Sequence, residues 1–386
     1  MNKTTPPHKL RPTMKVPKKI LLPEEKIPLW SFIFLGLFVL SLILVLIAKA
    51  SPSFADFFNR NISGVLRVIL AFLTNMFPFS VAEFLILMIP VVLLFVIRYA
   101  IRHKSKSWRS VFSYAVSLCS AVSLLFSLFV WVYGIGYHTP ELDERLSLEN
   151  QAVSATELAD TAKNLISDME DCLIYIRYTE DGSSLMPYSL SEMNDKLTTA
   201  FKELAKQHPF LQDHKSRVKP VLLSVPMSYA HLTGVYTFFT GESNLNVDFP
   251  DYTLPFTAAH ELAHGRGIAR ENEANFIAFL TCIGSDDVYL RYCGFVNMYE
   301  YIASALYEAD EGENKPLYNE VTSLLDKRVL GELKAYSAFF QKYRDSRLSE
   351  VSGNINDSFL KANGTEEGEK SYGLVVNLTV SYYKEK

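Results

Sequence analysis

The sequence predicts an α+β protein, in which three transmembrane helices near the N-terminus precede a mainly helical domain with a small sheet. Three observations carry this prediction. The apolar stretches that are long enough to cross a bilayer all lie in the first 135 residues. Most of residues 138–386 show the apolar spacing of helices. Short β-branched runs, separated by turn residues, lie ahead of residue 257.

The overall composition agrees with a chain that is partly embedded in a membrane. Hydrophobic residues make up 49% of the 386 residues and charged residues 21%, so the apolar excess is concentrated in one part of the chain. A net charge of −4 gives no indication of a nucleic-acid partner. The four cysteines form no CxxC pair, and we expect Cys282 and Cys293 to be buried free thiols rather than a disulfide.

Residues 1–28 form a basic tail that is rich in Lys and Pro and lacks apolar periodicity. We expect this tail to be disordered and cytoplasmic. Residues 30–48 carry no charge and predict the first transmembrane helix. A cleaved signal peptide is the alternative, because Ala48-Lys49-Ala50 resembles a cleavage site, but the apolar run is longer than signal peptides use.

The next apolar run, residues 63–77, contains Arg67, which favours an interfacial or re-entrant helix over a full crossing. Residues 81–97 predict the second span, with Glu83 near its outer end and a kink at Pro90. A basic loop follows this span and contains Arg98, Arg102, Lys104, Lys106 and Arg109.

Residues 112–133 predict the third span, which ends in the interfacial aromatic residues Trp131 and Tyr133. The predicted transmembrane region therefore covers residues 29–135. Lys and Arg are more frequent before the first span and between the second and third than between the first and second. The positive-inside rule then predicts a multi-pass cell-membrane protein with a cytoplasmic N-terminus and an extracytoplasmic domain at residues 138–386.

Patterns in this domain predict individual helices and strands. Helical spacing predicts helices over residues 155–169, 190–208, 288–309, 317–343 and 373–383, the last with a strand as the alternative. Strands are predicted over residues 221–225, 235–239 and 244–249, and a helix is predicted to start near residue 257.

The helix from residue 257 contains His-Glu-x-x-His, at His260, Glu261 and His264. Residues four apart lie on the same face of a helix, so the two imidazoles can be directed at one point with Glu261 beside it. A catalytic zinc ion takes three protein ligands and leaves a fourth position for water. The motif therefore predicts a zinc site with two histidine ligands.

The third ligand must come from a segment that folds back towards the histidines. Gly265 and Gly267 can take the positive φ values that such a bend needs. A second helix from about residue 269 to 283 would then bring Glu271 or Glu273 to the metal, but not both, because they face different sides of the helix. We favour Glu271 and keep Glu273 as the alternative.

The two motifs, HELAH and the ENEAN that follows, resemble the gluzincin zinc metallopeptidases. The two motifs are most similar to those of the integral-membrane peptidases of the CAAX-processing and heat-shock type. They are also similar to those of small peptidases that cleave phage-like repressors. With the three spans and the TGExNxN segment, the chain resembles an uncharacterised group of bacterial membrane proteins assigned to that superfamily. The specific overlap covers residues 234–283.

The resemblance implies a zincin-like fold for residues 138–386 and a membrane-anchored zinc metallopeptidase acting on peptides or proteins of the cell envelope. It implies that His260, His264 and Glu271 are zinc ligands and that Glu261 is the general base. Asn275 would then steady one of the ligands. A catalytically silent sensor or binding module is the alternative, which the intact Glu261 disfavours.

Two further expectations concern the substrate. A donor must face the oxyanion of the reaction, and Tyr372 and His231 are candidates by residue type. The predicted strand at residues 244–249 could pair with an extended substrate by β-augmentation.

Overall fold

The computed structural model describes residues 27–102, 108–311, 313–344, 346–363 and 372–386. The predicted basic tail lies outside this range except for its last two residues. Lys104 and Lys106 of the predicted basic loop lie outside it as well.

Three helices are long and apolar enough to cross a membrane, as the sequence predicts: α1, Leu29–Ala50, α4, Val81–Arg102, and α5, Trp108–Val132. The chain therefore has the make-up of a multi-pass membrane protein. α1 and α5 pack together, and the indole Nε1 of Trp131 donates a hydrogen bond to Oγ of Ser41 at 3.1 Å. Apolar side chains cover most of the outer surface of all three helices.

The segment between the first two spans folds as α2, Pro52–Phe58, a π-helical turn, Asn59–Ser63, and α3, Gly64–Thr74. α3 corresponds to the predicted interfacial helix. One of its faces is buried and carries Arg67. The opposite face exposes the apolar side chains of Val65, Val68, Ile69 and Phe72.

A three-stranded sheet contacts α3, the start of α4 and the helix that carries the histidines. Its strands are β1, Val218–Pro220, β2, Gly234–Thr237, and β3, Glu242–Leu245, in the order β1-β3-β2. β3 pairs parallel with β1 and antiparallel with β2. β3 is thus the central strand, and the prediction that residues 244–249 offer an edge to a substrate is wrong: the free edge beside the site belongs to β2.

The predicted strand at residues 221–225 is also misplaced. The amide of Val221 still bonds to the sheet, but the amides of Leu222 and Leu223 are taken up by the carboxylate of Glu83 at 3.0 and 2.8 Å. Strand pairing stops at this point because the backbone donors have another acceptor. The chain then forms α9, Ser224–Tyr229.

The sheet is tied to the start of α4 through a buried ion pair. Lys219 Nζ lies 2.6 Å from the Glu242 carboxylate, which also accepts the amides of Val81 and Ala82. A carboxylate at a helix N-terminus satisfies unpaired N–H groups and interacts favourably with the helix dipole. The second membrane helix is therefore fixed directly to the domain that carries the site.

The remaining elements form a helical layer with one large apolar core. They are α6, Leu142–Leu146, α7, Ala155–Leu173, α8, Leu190–Gln207, α10, Thr253–Gly265, α11, Glu271–Ile283, α12, Val288–Ala309, α13, Pro316–Ser323, α14, Lys327–Gln341, α15, Arg347–Ala362, and α16, Tyr372–Glu385. α10 and α11 lie inside this layer, and the core side chains of Leu262, Ile277 and Val296 are fully buried. The mainly helical domain with a small sheet is confirmed.

Three details differ from the sequence prediction. α10 begins at Thr253 rather than near residue 257, because Pro255 falls in the first turn, where its missing N–H is not needed. The predicted helix at 317–343 is two helices, and Asp326 caps the second. α15 has no predicted counterpart. Cys282 and Cys293 are buried and free, as expected.

Candidate metal centre

His260, His264 and Glu271 come together where α10 meets the first turn of α11. The two Nε2 atoms are 3.0 Å apart. The Glu271 carboxylate lies 3.0 Å from Nε2 of His260 and 3.5 Å from Nε2 of His264. One ligand atom from each residue lies within 4.8 Å of the other two, which is a group that could hold a metal ion.

The bend that brings Glu271 back depends on Gly267. Its φ is +101°, which side-chain-bearing residues rarely adopt, and its amide bonds to the carbonyl of His264 at 3.1 Å. A Cβ at this position would lie 2.8 Å from Nη2 of Arg67. Gly265, by contrast, is the last residue of α10 and does not have a positive φ. Of the two glycines that the sequence suggests for the bend, Gly267 is the one that makes it.

Hydrogen bonds at Nδ1 fix the tautomer of both histidines. Nδ1 of His264 lies 2.8 Å from the carbonyl of Ile268, and Nδ1 of His260 lies 2.7 Å from Oδ1 of Asn275. These oxygens only accept, so each Nδ1 carries the proton. When a metal replaces the second proton and the ring is neutral, its lone pair is therefore on Nε2. The predicted role of Asn275, which is to orient a ligand, matches this contact with His260.

Two Nε2 atoms only 3.0 Å apart beside a carboxylate call for a positive charge between them, which either a proton or a metal ion can supply. Bond lengths of about 2.0–2.1 Å to imidazole nitrogen and carboxylate oxygen, typical of zinc, suit the observed spacing. Burial lowers the pKa of His264, but the Glu271 carboxylate outweighs it and raises that pKa to about 9. Burial raises the pKa of Glu271, but the two histidines outweigh it and hold that pKa well below its ordinary value. The donor set of two imidazoles and one charged carboxylate fits zinc.

Glu261 lies beside this group with half of its carboxylate unsatisfied. The side chain is buried, and Oε2 has no hydrogen-bond partner in the described structure. Burial raises the pKa of Glu261 to about 7, against the opposing effect of the two histidines. β2 passes so close that a Cβ on Gly234 would lie 2.6 Å from Oε1. A carboxylate held in this way can take up and release a proton near neutral pH.

The group opens onto a cavity of about 1640 Å³. The cavity is bounded by α10, α12 and β2, and by the residues that follow the third span. Tyr137 and Tyr236 line it with buried hydroxyl groups that have no partner in the described structure. Sequence reasoning missed both, since a tyrosine near a span end or in a strand carries no signal of its own.

Glu273, the alternative third ligand, lies on the other side of α11. Its Oε1 accepts the Leu142 amide at 3.0 Å and pairs with Arg270 Nη1 at 2.7 Å. Arg270 in turn donates to the carbonyls of Tyr137 and Thr139. Glu273 therefore anchors the segment after the third span and is not part of the candidate metal group.

Of the two side chains predicted to face the oxyanion, His231 and Tyr372, the structure describes only that of His231. His231 lines the cavity, but its Nε2 is engaged with the carbonyl of Tyr343 at 3.0 Å. Tyr372 is the first residue of α16, and its side chain lies outside the described part of the structure.

Comparison with known proteins places the chain in a family but gives it no activity. A family model described as "Protein of unknown function (DUF3810)" matches residues 58–380, which is most of the chain. None of the curated proteins and none of the solved structures matches the chain.

Proposed function

The chain belongs to this family of unknown function, so the site itself must suggest an activity, and we propose that the protein is a membrane-anchored zinc-dependent metallopeptidase. It would hydrolyse peptide bonds outside the cytoplasm. The observation that carries the proposal is the convergence of two Nε2 atoms, 3.0 Å apart, on the Glu271 carboxylate, with an unsatisfied Glu261 oxygen beside them.

A zinc ion bound by His260, His264 and Glu271 would lower the pKa of a bound water to about 7 and polarise the substrate carbonyl. Glu261 would accept the proton of the attacking water and pass it to the leaving amine. Its raised pKa and its free oxygen suit both transfers. Asn275 and the Ile268 carbonyl hold the imidazoles in the tautomer that leaves each Nε2 free to bind.

β2 gives the substrate a place to bind. The carbonyl of Thr233 accepts the amide of Asn246 from the β3 side. In an antiparallel pair the bonded residues alternate, so the backbone groups of Gly234 and Tyr236 face away from β3. Both residues line the cavity. An extended peptide could therefore add to this edge next to Glu261, where it would compete with the Glu261 carboxylate for the amide of Tyr236.

The buried hydroxyl of Tyr137 is a candidate donor to the oxyanion, because it lines the cavity and accepts or donates no hydrogen bond within the described residues. Burial raises the pKa of this hydroxyl well above its ordinary value, so the group stays protonated. The extracytoplasmic position of the site rests on the distribution of Lys and Arg around the spans.

The decisive experiment compares wild-type protein with Glu261→Gln, both purified in detergent. We expect one zinc per chain in each, and hydrolysis of a casein-type substrate by the wild type alone. His260→Ala should lose both zinc and hydrolysis. Zinc bound at this site without hydrolysis of a broad peptide library would instead indicate the sensor or binding module, and failure to bind zinc would refute the proposal.

A further inference from the structure

The part of the cavity wall that α12 forms is acidic. Glu300, Ser304 and Glu308 follow one another at four-residue intervals on α12, so they share one helix face, and all three line the cavity. Among the described residues that line this cavity, none is Lys or Arg. The acids of this wall are therefore not offset by any Lys or Arg of the described lining.

Glu300 is half-buried and receives less hydrogen bonding than the fully buried glutamates of the domain. Its Oε2 accepts a single bond, from the Tyr252 hydroxyl at 3.3 Å, and it has no ion pair within the described structure.

The buried glutamates have more partners. Glu332 accepts the Ser184 amide and the Tyr292 hydroxyl, both at 2.8 Å. Glu242 and Glu273 each pair with a cation and accept at least one amide. Only Glu261, the proposed base, is comparably short of partners in this part of the structure.

This arrangement is costly for the folded protein. Burial raises the pKa of Glu300 to about 7; the charge of Glu332 adds to this rise, while the bond from Tyr252 opposes it. Glu300 is half-buried, and a carboxylate that is partly taken out of water without a compensating cation or several donors destabilises the fold. Groups that break this rule inside a cavity are often retained for function.

We propose that Glu300 binds a basic side chain, Lys or Arg, of the peptide substrate. This inference rests on the proposed peptidase function and specifies its substrate class. An entering ammonium or guanidinium group would supply the cation and the hydrogen-bond donors that Glu300 lacks. Glu308, two turns further along α12, would add to the negative potential at the mouth of the cavity.

The position of Glu300 relative to the metal ligands suggests where the basic residue lies in the substrate. Tyr252, which holds Glu300, directly precedes α10, and α10 lines the cavity from Thr253 to His264. Thr253 and His260 are seven residues apart, which is about 10 Å along a helix at 1.5 Å per residue. An extended peptide covers that distance in roughly three residues. We therefore expect the basic residue about two to four residues from the scissile bond.

The test uses full-length, zinc-loaded protein and pairs of quenched fluorescent peptides that carry Lys or Gln at one position. The proteins are wild type, Glu300→Gln and the matched control Glu203→Gln, which changes an exposed glutamate on α8 outside the cavity. We expect the wild type and the control to prefer the Lys peptide by about tenfold or more in kcat/KM at one position. Glu300→Gln should lose this preference, with the Gln peptide as the internal reference.

A binding measurement separates the inference about Glu300 from the proposal that the protein is a peptidase. Glu261→Gln and the double variant Glu261→Gln, Glu300→Gln are titrated with the same peptides, and fluorescence anisotropy gives Kd. Glu261→Gln should bind the Lys peptide more tightly than the Gln peptide, and the double variant should bind both alike.

Each outcome decides either the role of Glu300 or the peptidase proposal. Cleavage without a preference for Lys, or a preference that persists in Glu300→Gln, overturns the inference and leaves the peptidase proposal standing. If the wild type cleaves none of the peptides, the peptidase proposal fails, and the binding measurement alone decides the role of Glu300. Equal Kd values for the two peptides in Glu261→Gln then refute that role as well.

Discussion

The hydroxyl oxygen of Tyr133 lies 2.9 Å from Nδ1 of His264. Tyr133 directly follows α5, so the end of the third span contacts a candidate zinc ligand. Burial raises the pKa of Tyr133 well above its ordinary value, and the neutral hydroxyl donates to the carbonyl of Ala269 at 3.1 Å. Its oxygen can then accept the Nδ1 proton that His264 shares with Ile268. The membrane region and the metal centre are thus parts of one packed unit.

The zinc affinity should depend more on the hydrogen bond at Nδ1 of His260 than on the hydrogen bond from Tyr133 at Nδ1 of His264. Among the described residues, Nδ1 of His260 has one partner, Asn275, whereas Nδ1 of His264 has both Ile268 and Tyr133. Loss of such a partner typically weakens metal binding about 10- to 100-fold. We expect Asn275→Leu to fall in this range and Tyr133→Phe to stay at or below its lower end. Competition with a zinc-chelating dye gives both Kd values.

A reversed order, with Tyr133→Phe the more damaging, would contradict this account of the two tautomers. Circular dichroism of each variant serves as the control, because a loss of folding would lower zinc affinity for another reason.

Glu271 and Glu273 provide a matched pair for testing the third ligand. We expect Glu271→Gln to lose zinc affinity by more than the roughly 10- to 100-fold expected for an outer partner. Glu273→Gln should bind zinc as the wild type does. It should unfold at a lower temperature, since Arg270 would lose its charged partner. Metal analysis after dialysis and thermal unfolding with and without zinc measure the two effects.

The contrast between these acids would disappear if Glu273 were the ligand. Zinc loss in Glu273→Gln together with retention in Glu271→Gln would show that the group formed by His260, His264 and Glu271 is not the metal site.

The sequence predicts the site residues that lie close together along the chain and misses those that are distant from them. His260, Glu261, His264 and Glu271 lie within twelve residues, and helix periodicity alone brings the first three to one face. Tyr133 is 131 residues away from His264, and no periodic pattern links them. Its position at a span end predicts an interfacial aromatic residue, which gives no indication of a hydrogen bond to a histidine.

The sheet shows a similar limit. The alternation of side chains predicts β2 and β3 within a few residues, but not which of them is the edge, because that depends on the parallel pairing of the distant β1 with β3. The strand predicted at 221–225 fails for the same reason. Glu83, about 140 positions away, takes the backbone donors of Leu222 and Leu223.

Gly267 and Gly265 should respond in opposite ways to the same substitution. Gly267→Ala would force a side chain into a φ of +101° and place Cβ against the Arg67 guanidinium, which is held by the Asn59 and Val132 carbonyls. Strain of this kind costs about 1–3 kcal/mol. Gly265 lies in α10, and its Cβ would make an ordinary contact of 3.4 Å with Tyr236.

We therefore expect Gly267→Ala to lower the unfolding temperature by several degrees and to weaken zinc binding, because the bend positions Glu271. Gly265→Ala should leave both unchanged or raise stability slightly, since Ala is favoured over Gly in helices. Thermal unfolding followed by fluorescence compares the two, and equal effects would mean that the bend does not depend on Gly267.

Glu300 should reduce stability in a pH-dependent way. Burial raises its pKa to about 7 in the folded protein, above the value of about 4.3 for an unfolded glutamate. Between these values the folded state binds more protons than the unfolded state, so the free energy of unfolding falls as the pH rises through this window. Glu300→Gln removes this contribution. The variant should be more stable than the wild type at pH 8, by a few degrees in Tm, and nearly equal to it at or below pH 4, under the unfolded-state pKa.

Glu332 is present in both proteins, but its charge helps to raise the pKa of Glu300, so the comparison measures the contribution of Glu300 together with its repulsion by Glu332. Glu203→Gln, on the surface of α8, should show no such pH dependence, because exposed ion pairs contribute little. If Glu300→Gln is less stable than the wild type at pH 8, its carboxylate must already have a compensating partner. It would then be unavailable for a basic side chain of the substrate.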